Sequence, residues 1–401
     1  MKLAEPRPIK DYCVGIFDGP HATPKESHDG PIFLGIKNIT EDGQLDLSEI
    51  RHVSEEEYPR WTRRVTPQPG DVVFTYEATL HRYAIIPEGF RGCLGRRVAL
   101  VRPNPGQADS RYLLYFFLSR NWRNVVESSV ITGATVDRVP LEKFPSFPAA
   151  LPRLDVQQQI AGVLSAYDDL IENNRRRMAL LEEEARQLYR EWFVRLRFPG
   201  HENTPINNGV PYGWEQKTLG DVAEVNRQSL GSSFDGEIEY VDISSVTPGQ
   251  IDVTSPFDFR EAPSRARRIV QHGDVIWSCV RPNRRSHAVI WQPAANLIVS
   301  TGFAVITPTA LPTSFIYQTT TTDAFVGYLE NHARGAAYPA IVAGDFERAA
   351  ILVPPKPMVE SFKDFAEPML DQGNNLWLQN QKLSAARDLL LPRLMSGEIA
   401  V

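Results

Sequence analysis

Residues 279–287 run Cys-Val-Arg-Pro-Asn-Arg-Arg-Ser-His, which places Arg281, Asn283, Arg284 and Arg285 in one short loop behind the strand-like run Asp274–Ser278. Guanidinium and amide groups are the donors and acceptors that match base edges in the DNA major groove, and bidentate arginine on guanine is the commonest pairing. The same side chains serve equally well as phosphate contacts or as solvated surface. Other cations are bunched as Arg60-Trp-Thr-Arg63-Arg64, Arg96-Arg97 and Arg265-Ala-Arg267-Arg268. Local patches of this kind, not total charge, set phosphate contact.

Groupings that would do covalent chemistry are missing from the sequence. An amino-methyltransferase needs a polar-Pro-Pro-aromatic loop, and Asn104-Pro105-Gly106 is the nearest approach, which reads as a turn. There is no phosphate-binding GxxxxGK[ST] loop. Glu215-Gln-Lys217 lacks the preceding aspartate of a nuclease, since none lies between Asp169 and Asp221. The histidines form no HxxxH or HExxH pair, and Cys13, Cys93 and Cys279 are too scattered for a metal knuckle or a disulfide framework. No catalytic residue and no metal site is therefore expected. The cysteine usage, with no apolar signal core after Met1, points to a cytoplasmic protein.

The elements that must position the Arg281 loop occur twice. Gly43-Gln-Leu-Asp46 answers Gly249-Gln-Ile-Asp252, Gly70-Asp-Val-Val73 answers Gly273-Asp-Val-Ile276, Gly133-Ala134 answers Gly335-Ala336, and Leu151-Pro152 answers Val353-Pro354. One such match is chance; four in order mark a duplication. Each half is predicted to be a mixed α/β domain, with Asp71–Tyr76 and Asp274–Ser278 as buried strands. Tyr112–Leu118 and Ser314–Tyr317 are expected to precede helical stretches. Aligned on Gly-Asp, the slot of the Arg281 loop falls in the first half on Glu77–Tyr83, with His81 and Arg82. Further candidates follow the Gly43 and Gly249 match, at Lys37, Asn38, Ser244 and Ser245. Others flank Gly133 and Gly335, at Thr132, Thr135, Arg334 and Tyr338.

Each half closes on a long helical stretch. From Asp155 to Arg197 there is no proline and Gly162 is the only glycine. Ile160, Val163, Tyr167, Leu170, Asn174, Met178, Leu181, Ala185, Leu188 and Trp192 alternate steps of three and four, a seam that needs a partner helix. About 40 residues make a rod of roughly 60 Å. The partner is predicted over Val359–Leu391, with Phe362, Phe365, Met369, Leu376, Leu383 and Leu390 as its seam. Pro368 is expected to kink it or split off its first turns, and Pro392 to end it. The fold class is α+β: similar mixed α/β domains at 1–150 and 199–352 (with a connecting segment at 199–213), and long helices at 151–198 and 353–401. The helices are expected to pack as an antiparallel coiled coil in a pseudo-two-fold repeat.

The chain has 401 residues, 42% hydrophobic and 23% charged, with net charge −6. That composition suits a globular protein of two or three domains, and no apolar run is long enough to span a membrane. No segment is basic overall, so charge alone leaves DNA binding open.

The order domain, long helix, domain, long helix resembles the specificity subunit of Type I restriction–modification systems. The residues that carry the likeness are Leu151-Pro-Arg-Leu-Asp-Val-Gln-Gln-Gln-Ile160, Trp192-Phe193, Pro211-Tyr-Gly-Trp214, Leu219-Gly-Asp221 and Leu391-Pro-Arg-Leu-Met-Ser-Gly397, with Asp18-Gly-Pro-His-Ala-Thr-Pro24 near the start. The second helix departs from the pattern by opening Val353-Pro-Pro-Lys-Pro-Met-Val-Glu360 without the usual glutamine. The resemblance implies two target recognition domains, each reading half of a split site on double-stranded DNA, and a helix spacer that sets the gap between the halves. It also implies docking of two methyltransferase subunits and of restriction subunits. S-adenosylmethionine, ATP and Mg would sit on those partners and no cofactor on this chain. The rival reading is a coiled-coil scaffold whose domains bind proteins, which the acidic total charge favours; a fused methyltransferase is disfavoured by the missing loop.

Overall fold

Gly70 and Gly273 both take left-handed backbone, at φ 87° and 90°, a conformation that costs glycine nothing. The next residue in each case, Asp71 or Asp274, is buried and accepts the backbone N–H of the residue three before it, Gln68 or Gln271, at 2.8 Å. These tight turns launch the strands Val72–Thr75 and Val275–Ser278, whose residues are buried throughout. The duplicated Gly-Asp therefore marks the same local device in both halves.

The computed structural model describes residues 5–133, 136–335 and 338–399. It divides into two units, Met1–Glu172 with Gln381–Val401, and Asn173–Asn380. In the first unit a four-stranded sheet has the order Cys13–Asp18, Val98–Pro103, Val72–Thr75, Tyr83–Ile85, all antiparallel. A second sheet orders Arg51–His52, Ser27–Leu34 and Gly92–Leu94, the last two parallel. In the second unit the order is Ala223–Val225, Phe303–Pro308, Val275–Ser278, His287–Val289, again antiparallel. Its other sheet runs Ser255–Asp258, Glu237–Val241, Leu297–Ser300, Ala266–Ile269, with Glu237–Val241 and Leu297–Ser300 parallel. The strand orders correspond, except that the second unit adds Ala266–Ile269.

The helix pairs also correspond: α1 (Ser110–Leu118) and α2 (Arg120–Glu127) in the first unit. Ser119 between them caps α2 by accepting the Trp122 N–H. Tyr112–Leu118 was expected to precede a helix and is itself helical, because its apolar run packs one face into the core rather than bridging a sheet. The Trp122 indole donates to the Tyr83 hydroxyl at 3.1 Å, which gives this fully buried tryptophan a partner for its only polar side-chain atom.

The first long helix, α3, spans Leu154–Tyr189 and ends in a π-helical turn, Arg190–Val194. In the second unit α4 (Thr313–Thr321) and α5 (Asp323–His332) repeat the pair, with Thr322 accepting the Phe325 N–H as cap. Ser314–Tyr317 accordingly lies within α4. The second long helix, α6, is continuous over Lys356–Met395. Neither Pro368 nor Pro392 breaks it. Both are exposed, as is Asp364, whose carbonyl has no N–H donor at Pro368. An interior proline costs about 3 kcal/mol, and burial of Phe362, Ala366 and Leu376 along the same helix offsets it.

Within the second unit the two long helices run antiparallel, with Asn174 against Asn380 and Tyr189 against Phe362. Within the first unit the Arg387 guanidinium donates to Asp168 at 2.6 Å, and the Tyr115 hydroxyl donates to the same carboxylate at 2.5 Å. Ile160, Asn174, Ala185, Phe362 and Leu376 take the buried seam places expected of them, whereas Leu170 and Phe365 are exposed. Leu164, Ile171 and Ala366 are buried beside them, because at 3.6 residues per turn the inward stripe drifts off a strict heptad. Among the described residues no helix is long and apolar enough to cross a membrane.

Candidate nucleic-acid interface

After Val275–Ser278 the backbone of the second unit leaves the sheet, turns through a 3-10 segment at Pro282–Arg284 and returns as His287–Val289. Arg281 and Arg285, on either side of that segment, are both left-handed, at φ 51° and 53°. Non-glycine residues take this region rarely, and packing has to hold them there. Here the loop is clamped by Pro339 and Ile341, with Ala340 paired to Arg334. The Arg281 N–H donates to Pro339 at 2.7 Å, the Ile341 N–H to Cys279 at 2.9 Å, and Arg334 and Ala340 exchange backbone bonds. Candidates far apart in sequence thus share one surface. The Arg281 guanidinium lies 4.7 Å from the centre of the Tyr338 ring, while Asn283, Arg284, Arg334 and Tyr338 are exposed.

Arg285 differs from its neighbours, because its guanidinium donates to Asp323 at the start of α5 at 2.5 Å. That hydrogen bond, and then the Arg285 charge, hold the Asp323 carboxyl below the ordinary range. His287, at the end of the loop, faces inward against Trp277 with rings 4.7 Å apart. Burial pulls its pKa down to about 3, helped by Arg285 and Arg186, so it is a neutral core residue.

The corresponding loop of the first unit is clamped in the same way. The Ala78 N–H donates to Asp137 at 3.0 Å, the Val139 N–H to Tyr76 at 2.7 Å, and Ile131 pairs with Arg138. Ala78 is left-handed, at φ 71°, in the place Arg281 holds in the second unit. His81 is half-buried beside Glu127 at 3.5 Å, and burial followed by the Arg123 charge lowers its pKa. Arg82 is tied to Glu41 at 3.2 Å and to the Ile39 carbonyl at 3.4 Å. Both expected readers therefore brace the loop against its own module. Thr132 is exposed on the clamping segment, and so is Arg138, which the sequence reading missed. It takes the place of Ala340 in the backbone register, a correspondence that only the fold reveals. Thr135 lies outside the described residues.

The candidates near Gly43 and Gly249 separate from this surface. Asn38 is a structural clamp: its side-chain amide donates to the carbonyls of Asp46 and Glu49, and its oxygen accepts the Gly35 N–H. It is 3% exposed and has no atom to offer a ligand. Lys37 is exposed and paired with Glu49 at 3.0 Å. The Ser244 hydroxyl donates to Asp242 at 3.2 Å, and the Ser245 N–H donates to the Asp242 carbonyl.

The profile of the family described as "Type I restriction modification DNA specificity domain" matches residues 51–183. The chain is 25% identical over 412 aligned positions to the Type I restriction enzyme MjaIX specificity subunit of Methanocaldococcus jannaschii, covering 98% of this chain and 89% of that one. It is 18% identical to the Type I restriction enzyme HindI specificity subunit of Haemophilus influenzae, over 75% of this chain and 80% of that one. In fold it is similar to the crystal structure of a Type-I restriction-modification system S subunit from M. genitalium, with TM-score 0.54, 14% identity, and coverage of 97% and 95%.

Proposed function

We infer that the chain belongs to the specificity-subunit family of Type I restriction–modification systems and reads a bipartite site on double-stranded DNA, one half-site per module. One observation carries the reading. Two modules share a strand order and a clamped loop in the same slot, yet fill that slot with different side chains: Arg281, Asn283, Arg284 and Arg285 in one, and Ala78, His81 and Arg82 in the other. A common scaffold with divergent loops is what reading two different half-sites requires. Exposed Arg284, Arg334 and Arg138 supply cation for phosphate, and phosphate contact sets register without reading sequence.

The chain works within a complex and leaves chemistry to its partners. Two methyltransferase subunits dock on the paired long helices, with restriction subunits joining them, and those chains hold S-adenosylmethionine, ATP and Mg. The spacing of the half-sites is set by the long helices. The net charge of −6 favours the rival scaffold reading, and salt dependence separates the two: DNA affinity that falls steeply with salt supports the reader. Exchange of residues 1–150 for those of a related protein tests the division of labour. Mapping the methylated positions should show one half-site changed and the other retained; change in both, or in neither, would refute the assignment.

A further inference from the structure

We propose that Asn283 is a base-reading residue of the second module and takes adenine in that module's half-site. This rests on the chain being a DNA reader. The two clamped loops share a frame. Each tip is bracketed by two non-glycine residues in left-handed backbone: Ala78 and His81 in the first module, at φ 71° and 63°, and Arg281 and Arg285 in the second, at φ 51° and 53°. Between the brackets the first module holds Thr79-Leu80 and the second holds Pro282-Asn283-Arg284. Leu80 packs against the core of its own unit, so the first tip lies down on its module. In the second tip only Pro282 is buried, while Asn283 and Arg284 are exposed.

An asparagine in a loop usually answers a backbone demand: its side chain closes a turn onto the chain two residues on, or it takes the left-handed region that other residues avoid. Asn104 does the first, accepting the Gly106 N–H at 3.0 Å, and Asn226 does the second, at φ 58°. Asn283 does neither. The left-handed places fall on Arg281 and Arg285, and among the described residues the Asn283 side chain makes no hydrogen bond. The tip is held without it, by buried Pro282, by the backbone bonds of Arg281 to Pro339 and of Ile341 to Cys279, and by the Arg285 pair with Asp323 at 2.5 Å. A held tip loses less conformational freedom on binding than a loose one. Phosphate oxygens only accept hydrogen bonds, and exposed Arg284 and Arg334 suit them. An amide offers a donor beside an acceptor, which matches N7 and the N6 amino group of adenine in the major groove. Phosphates are the same in every half-site, whereas a base contact must vary with the base read, and the first tip carries no amide.

The test uses the full chain assembled with its methyltransferase partner. Methylated positions are mapped by sequencing to give the motif, and affinity is measured on unmethylated duplexes that differ at single base pairs. Wild type should require adenine at one position of the half-site read by the second module. Replacing that base by 7-deazaadenine, which lacks the N7 acceptor, should lower affinity by about 10- to 100-fold. Asn283→Ala should lose preference at that position by a similar factor and become indifferent to 7-deazaadenine there, with the other half-site unchanged. Asn283→Asp, which has no donor for N7, should lose the adenine as well. Asn283→Ala should unfold at the wild-type temperature, because the side chain makes no hydrogen bond that its removal would break. If Asn283→Ala leaves the motif and the affinities intact, Asn283 reads nothing and the proposal is wrong. If it weakens all duplexes alike, the residue is a phosphate contact and the proposal is equally wrong. A wild-type complex that marks no bipartite motif sinks the reader assignment itself, which the Asn283 variants alone would not.

Discussion

The side-chain oxygen of Gln157 accepts the backbone N–H of Asp109 at 3.0 Å, and its amide donates to the carbonyls of Gln107 and Pro152 at 3.0 and 2.8 Å. Asp109 is the N-cap of α1, and the corresponding cap of α4 is Pro312. Proline has no N–H to satisfy. Counting from the Leu151-Pro152 and Val353-Pro354 match, the residue in the place of Gln157 is Val359, which is 2% exposed. The glutamine missing from the second helix is thus explained by a donor missing beneath it. Gln157→Ala leaves one buried donor and two acceptors unpaired and is expected to cost on the order of 2–4 kcal/mol. Chemical denaturation measures it; a loss within about 0.5 kcal/mol, as for an ordinary surface substitution, would show that water replaces the side chain.

Asn174 is 1% exposed in the helix seam and donates to the Asn380 side-chain oxygen at 2.9 Å. A buried amide pair stabilises less than apolar packing but fixes which turns face each other. Asn174→Ala is expected to lose about 1–3 kcal/mol by removing a buried amide and its hydrogen bond across the seam. The double replacement Asn174→Leu with Asn380→Leu should recover that loss. Thermal unfolding of the two variants decides, and a double variant no more stable than the single would contradict the account.

Glu182 lies on the wall of a cavity of about 740 Å³ in the second unit, among Met178, Leu181, Ile290 and Trp377. Burial raises its pKa, against the opposing effects of Arg186 and of the Tyr317 hydroxyl, which donates to it at 3.3 Å. A carboxyl with a raised native pKa binds its proton more tightly folded than unfolded. Its contribution to stability therefore declines as pH rises from the ordinary carboxyl value through the raised one, then levels off. Glu182→Gln keeps an acceptor for Tyr317 and removes the titration. Its advantage over wild type should grow across that window in denaturant midpoints measured against pH. Parallel curves would exclude Glu182 as the cause.

Asp323 pairs with Arg285 at the edge of the candidate interface. Asp323→Asn removes a negative charge beside the loop and leaves the Arg285 cation without its carboxylate. Affinity for duplexes of any sequence should rise, and the slope of log affinity against log salt should steepen by about one. The motif should not change, since base readers are untouched. Filter binding across a salt series gives both quantities, and an unchanged slope would place Arg285 away from the DNA.

The duplication was legible because it rests on backbone devices that show in residue identity. Gly70-Asp71 and Gly273-Asp274 are left-handed turns followed by buried caps, and few other residue types satisfy both demands. The long helices were legible from periodicity, but Pro368 misled, because the cost of a proline depends on whether the freed carbonyl meets water, and sequence does not show that. The DNA-facing candidates were partly legible. Asn38 looked like a reader, yet its amide closes the loop that carries it. The meeting of Arg281 and Tyr338 is a tertiary event between a strand exit and the clamping segment, and no local spacing rule reports it.

The first unit draws on both ends of the described chain: Ile160 and Leu164 share a core with Leu394 and Met395. The ribosome makes these partners far apart in time. At about 5–20 residues per second, roughly 10–40 s pass between emergence of the early helix and of the late one. During that interval the apolar stripe of the early helix lacks the late helix that covers it, so this core cannot close as it is synthesised.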